Sequence, residues 1–273
     1  MLKHLLRRHR PARPRRVALH AEWLEPRLLY SADAGALLAA TGDPQQAPET
    51  RTLTTSYEYG AQAASVPTAA EVRAAYALTP LQFEANAGQL GEGVDFAALG
   101  IGYAVRLGGG QAELLLDGAQ EAVRLELAGA APGTAETGPQ LATRSNYLVG
   151  QDAQQWVTGV ANYGSVLYRD VYDGIDIRYY GNQNQLEYDF LLAPGADADK
   201  LQLRFHGVSG MALADNGDLV LRVAGTGREI RFQAPVSYQE GAGGREPVES
   251  HYEVQADGTV RIVVGAYDGS RAL

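Results

Sequence analysis

The 273-residue chain contains no cysteine. That excludes disulfides, a thiolate nucleophile and Cys-ligated metals, but it leaves the compartment open, because many exported bacterial proteins also do without cysteine. Lysine is nearly missing too: Lys3 and Lys200 stand beside 21 arginines, a bias of GC-rich coding rather than of function. Histidine is scarce, and beyond residue 20 only His206 and His251 remain, too few for a three-imidazole zinc site. No run approaches the roughly 20 apolar residues that cross a bilayer as a helix. What is present is a 45% hydrophobic chain, long enough to bury a real core as one large β domain or two small ones.

Charge is segregated. Lys3, Arg7, Arg8, Arg10, Arg13, Arg15 and Arg16 give the first 16 residues seven cations and no acid, leaving 16 cations against 32 acids over residues 17–273. An acidic body argues against nucleic acid or an anionic membrane as the main partner, since phosphate binding needs a cationic face.

Residues 1–70 read as a leader outside the folded domain. Basic residues give way to small and polar ones with scattered prolines up to Pro67, and such a composition buries too little apolar surface to fix one conformation. A secretory signal would show about 7–15 uninterrupted apolar residues, but Glu25, Arg27 and Asp33 interrupt the stretch. Helix is expected only at Ala69–Tyr76, where Glu71, Arg73 and alanines favour it, and over Asp152–Trp156.

From residue 79 to 273 the pattern is short strands bounded by turns. In 171–205, Ile175, Ile177 and Tyr179 alternate with Asp176, Arg178 and Tyr180. Gly181-Asn182-Gln183-Asn184 makes a turn, and Leu186, Tyr188, Phe190 and Leu192 resume the period of two. Leu201-Leu203-Phe205 is expected as the third strand of this meander. Asp215-Asn216-Gly217-Asp218 and Ala256-Asp257-Gly258-Thr259 are hairpin turns, and AGAAPGTAETGPQ, between Leu127 and Leu141, reads as a flexible loop dividing two sheets. The expected fold is all-β, an antiparallel β-sandwich.

Two resemblances add to this. Leu24, Glu25, Pro26 and Arg27, followed by Leu28-Leu29 and Ser31-Ala32, resemble the LEPR-XLL motif near the N-terminus of large repetitive bacterial proteins, which implies export to the cell surface or beyond. The alternative is a short amphipathic helix with Leu24, Leu28 and Leu29 on one face. FEANAGQL, GIGYAVRL, NYLVG followed by Trp156, the stretch 171–205, and QAPVSYQE are similar to the domain of unknown function that precedes SBBP-type, β-propeller-like repeats in bacterial secreted proteins. That resemblance runs from about Pro80 to Leu273. It implies an extracellular accessory module with no known reaction, followed in the family by a closing strand and repeats, so a C-terminal truncation that leaves an open sheet edge is expected.

Candidate chemistry is thin. Glu187 and Asp189 share one strand face, with Asp176 and Arg178 on its neighbour, and carboxylates about 5–9 Å apart suit glycoside hydrolysis. Alternate polar residues are equally the mark of a solvated sheet face with cross-strand pairs, which is the favoured reading. His206, at a strand end, is a general-base candidate but reads better as a surface residue. Asp173, Asp176, Asp197, Asp199, Asp215 and Asp218 fall in turns. They invite a calcium reading, yet ordinary Asp turns explain them, and no cofactor or metal is expected. The glycine runs at 108–110 and 241–244 lack the context of a phosphate loop. Fifteen tyrosines against five phenylalanines offer rings to a glycan or protein; Tyr188 is expected in the core, and Tyr172 and Tyr180 as contact residues. The expectation is a non-catalytic structural or interaction module at the cell surface, meeting a protein, a glycan or downstream propeller repeats. The alternatives are a carbohydrate-binding module using surface tyrosines and, behind it, a glycoside-active enzyme.

Overall fold

Alternation of apolar and polar residues sets up the architecture. Tyr103–Gly108 (β4) buries Tyr103, Val105 and Leu107, and Gln111–Leu116 (β5) buries Ala112, Leu114 and Leu116, so one face of each ribbon has to be covered by another layer. The computed structural model describes residues 19–20, 80–149 and 151–273. Apart from the backbone of Leu19–His20, the leader expected over 1–70 lies outside the described residues, as do its motif at 24–33 and the helix expected at Ala69–Tyr76.

One layer is a ten-stranded sheet. Its spatial order is Ser250–Val254 (β19), Val260–Val264 (β20), Gln202–His206 (β13), Val123–Leu127 (β6), β5, β4, Phe96–Gly100 (β3), Phe83–Ala85 (β2), Val157–Tyr163 (β9) and Gln140–Tyr147 (β8). Two four-stranded sheets complete the core. The first runs Gln185–Leu192 (β12), Ile175–Asn182 (β11), Ser165–Tyr172 (β10) and Thr134–Thr137 (β7). The second runs Leu19–His20 (β1), Glu229–Phe232 (β16), Leu219–Val223 (β15) and Val208–Leu213 (β14). Ser237–Gly241 (β17) and Gly244–Val248 (β18) form a separate hairpin. Every pairing is antiparallel, and the expected all-β, sandwich-like fold is the observed one. Helix among the described residues is confined to 3-10 turns at Ala153–Gln155 and Ala198–Lys200.

Tyrosines rivet the layers together. Tyr168 donates to Asp95 Oδ2 at 3.1 Å, Tyr179 to the Gly110 carbonyl at 2.8 Å, and Tyr103 to the Asn184 carbonyl at 2.9 Å. Each joins the β12–β11–β10–β7 sheet to the ten-stranded one. Rings continue the seam, with Phe205 and Phe232 centroids 5.0 Å apart and Tyr188 and Phe232 6.3 Å apart. All three sheets therefore feed one continuous core.

Two expectations about the meander are corrected. Leu201, Leu203 and Phe205 do not extend it: Pro194-Gly195 and the 3-10 turn carry the chain across the core, and β13 pairs with β6 and β20 instead. The third meander strand is β10, which precedes β11 in sequence. The stretch between Leu127 and Leu141 is not all loop, because Thr134–Thr137 pairs with β10 as β7. All four of its residues are exposed, so no alternation marked it.

Candidate functional site

Strand β12 has one satisfied edge and one that is open among the described residues. Its odd-numbered residues bond to β11, as the Ala193 N–H to Gly174 carbonyl bond of 2.8 Å shows at the end of the ladder. Even-numbered residues must then direct N–H and C=O to the other side. There Leu192 and Leu273 exchange two hydrogen bonds, of 2.9 and 3.1 Å. Further along, among the described residues, no bond is made by the backbone of Tyr188 or Phe190 on that side.

A groove of about 350 Å³ lies beside this edge, walled by Leu201, Pro235, Val236, Ile262, Val264 and Leu273. Its floor is apolar because Leu192 and Tyr188 turn inward from β12. Gln239 holds the C-terminal tail against it. This side chain, 2% exposed, donates to the carbonyls of Asp268 (2.9 Å), Ala272 (3.2 Å) and Arg271 (3.3 Å), and accepts from the Asp268 N–H at 2.9 Å. Arg271 adds an ion pair with Glu246 at 2.7 Å. The tail is thereby fixed so that Leu273 sits at the end of β12. Nothing in the sequence singled out Gln239, since its partners lie about thirty residues away and are backbone atoms.

The outer face of the same strand carries the acidic candidates. Tyr180 donates to Asp189 Oδ1 at 2.9 Å, and Asn182 Nδ2 donates to Glu187 Oε1 at 2.7 Å. Burial first, then the Asp189 charge, pushes the Tyr180 hydroxyl far up. Glu187 departs from the expected solvated face: it is 3% exposed, and its Oε2 has no hydrogen-bond partner. Arg178 lies opposite Asp189 in the ladder, whereas Asp176 turns to Arg169 at 2.8 Å and accepts from the Asp170 N–H. Of these acids, only Asp189 lines the groove. Neither His206 nor His251 joins them, for His206 bonds Glu126 at 2.5 Å and His251 is exposed on β19. That contact from His206 is the first reason the Glu126 carboxyl lies below its usual range.

Tyr172 must be corrected as a contact residue. It is 7% exposed and donates to the carbonyls of Ala128 at 2.9 Å and Gln202 at 3.2 Å. A bulge between Tyr168 and Tyr172, with Asp170 at φ 54°, turns both Val171 and Tyr172 inward, which alternation alone does not foretell. Tyr180 is half-buried, and Tyr188 lies in the core as expected. The turn aspartates serve local structure: Asp197 caps a 3-10 turn, Asp199 pairs with Arg261 at 2.9 Å, and Asp218 accepts from the Ala234 N–H at 2.8 Å.

The hydroxyls of Tyr188 and Tyr252 are buried beside one another, and neither makes a well-formed hydrogen bond. Removing both polar groups together relieves an unmet desolvation cost. The Tyr188→Phe/Tyr252→Phe double variant is therefore expected to match or exceed the parent by up to about 1 kcal/mol, read as an unchanged or raised Tm. A clear fall would show that the two hydroxyls are satisfied.

Residues 83–273 match the family described as Domain of unknown function (DUF7948). The chain belongs to that family. Neither a curated protein nor a solved structure matches it. In this DUF7948 chain the matched span opens on Phe83, the first residue of β2, and closes on Leu273 at the edge of β12. The groove, the Gln239 clamp and every described strand except β1 fall inside the family domain.

Proposed function

We propose that the chain is a non-catalytic structural or interaction module of a bacterial secreted repeat protein, working outside the cell or on its surface. The observation that carries this reading is the backbone edge of β12, free among the described residues and beside an apolar groove, a feature suited to holding another stretch of polypeptide. Charged groups on the sheet faces support it from the other side. Arg169–Glu136, Arg204–Glu126 and Arg222–Glu229 are ion pairs between neighbouring strands, which stabilise a sheet modestly and present no reactive group. No helix among the described residues is long and apolar enough to cross a membrane. The LEPR-XLL-like block at Leu24, Glu25, Pro26, Arg27, Leu28 and Leu29 supplies the export address in this reading, and propeller-like repeats are the natural neighbours.

Fractionating a bacterium that produces the leader-bearing chain tests the location. The chain is expected in the surface or culture fraction, and replacing Arg27, Leu28 and Leu29 by alanine is expected to retain it inside. Equal retention of both proteins in the cytosol would overturn the reading.

A further inference from the structure

We propose that the groove beside β12 is filled by the chain's own basic, proline-bearing segment 7–16, RRHRPARPRR, lying in polyproline form against the aromatic and acidic walls. This rests on the interaction-module reading above and deepens it by naming what the groove holds. The direction comes from β1. It pairs antiparallel with β16, Leu19 opposite Phe232 and His20 opposite Arg231, so the chain ahead of Leu19 is led the way β16 goes after Phe232, toward Pro235 and Val236. Both of those residues wall the groove. The backbone of Leu19–His20 also comes within 8 Å of β12, which supplies the opposite wall. Arg16 stands three residues ahead of Leu19 and Pro14 five, about 9 Å and about 16 Å of polyproline chain, and Pro235 is itself only three residues beyond Phe232.

Segment and groove match in charge and in shape. Asp189 and Glu240 line the groove, and no cation stands among the described residues that do so. Glu240 pairs with Arg245, yet its side chain stays 68% exposed. The segment brings six arginines and no acid. A polyproline helix has three residues per turn, so Pro11, Pro14 and Val17 fall on one ridge and Arg10, Arg13 and Arg16 on the next. The apolar ridge meets Phe190, Val236 and Tyr238 of the groove, because aromatic-lined grooves receive such helices, while the arginine ridge faces Asp189 and Glu240. Anchoring by β1 keeps the segment beside the groove at an effective concentration on the order of millimolar, which favours docking within one chain over docking between two. The polyproline form builds no ladder. The amides of Tyr188 and Phe190 therefore stay unpaired, and the leader closes the groove to other peptides without closing the edge of β12.

The absence of cysteine makes the test direct. Ala12→Cys in the whole chain carries a nitroxide, and the amide signals of the domain are compared by NMR with those of the reduced label. Phe190, Val236 and Tyr238 are expected to lose most of their signal intensity. Ser145 and Asn162, on β8 and β9 at the other end of the ten-stranded sheet from β20, are expected to keep it. Adding Arg10→Glu, Arg13→Glu and Arg16→Glu to the labelled chain, which leaves the family domain untouched, is expected to restore the signals of Phe190, Val236 and Tyr238. A loss spread evenly over the surface, or one that survives the triple substitution, would overturn the proposal. So would a loss in isotope-labelled chains free of nitroxide when mixed with nitroxide-bearing ones, which marks a second copy as the source. Retention of the chain in the cytosol would sink the location without touching this result, and an empty groove would leave the location standing.

Discussion

Raising the pH above about 10 will unfold the domain in one cooperative step rather than titrate its tyrosines one by one. An unfolded tyrosine loses its proton near pH 10. In the fold, burial pushes Tyr147 and Tyr172 up to about 12, and drives Tyr168, Tyr179, Tyr188 and Tyr252 higher still. Above pH 10 the folded chain thus holds more protons than the unfolded one, and stability falls with rising pH, while below that point the contribution is fully present. Each fully buried tyrosine removes about 1.4 kcal/mol per pH unit. Four of them remove over 5 kcal/mol per unit, against a total stability of about 5–15 kcal/mol. Absorbance at 295 nm and the far-UV circular dichroism should therefore change together within about two pH units. Gradual tyrosinate absorbance with an intact β spectrum would show that these rings are reached by solvent in the fold.

Gly207→Ala will cost about 2–5 kcal/mol, or roughly 10 °C in Tm for a domain of this size. Gly207 joins β13 to β14, where the chain leaves the ten-stranded sheet for a four-stranded one. Its φ is +74°, and a Cβ there would stand 2.3 Å from the Ala122 carbonyl oxygen. The left-handed backbone alone costs a non-glycine residue about 1–2 kcal/mol. The remainder comes from pushing two strands apart at a close-packed crossing, in the range of about 1–3 kcal/mol for overpacking. Gly225→Ala separates the two causes. Its φ is +71° but nothing lies within 4 Å, so only the conformational share of about 1–2 kcal/mol should be lost. Equal melting temperatures for the two variants would mean that the β13–β14 crossing yields without cost.

The fold was legible wherever one strand face meets the core. Ile175, Ile177 and Tyr179 on one side, and Leu186 and Tyr188 opposite, announce themselves because burial imposes a period of two. The hairpins at Asp215–Asp218 and Ala256–Thr259 were legible for a different reason: Asn-Gly and Asp-Gly take the positive φ that Gly217 and Gly258 adopt. Where that logic stops, reading stops. Thr134–Thr137 is an exposed edge strand with no inward side chain, so only its partner β10 defines it. Tyr172 looked outward until the bulge after Tyr168 reversed its face. Glu187 is buried beneath a polar pattern that reads as solvated.

The candidate site was least legible of all. An open edge depends on the order in which strands pair, and that order is a property of the closed fold rather than of any segment. That β12 carries the edge, and that Gln239 seats the tail against its end, came only with the geometry.

Residue-by-residue amide exchange along β12 in the unmodified chain is the most direct check on that edge. Glu187, Asp189 and Leu191, bonded to β11, should exchange slowly, as should Leu192, bonded to Leu273, while Tyr188 and Phe190 between them exchange fast. Uniform protection from Leu186 to Leu192 would mean that the edge is already closed, and the interaction surface assigned to it would be lost.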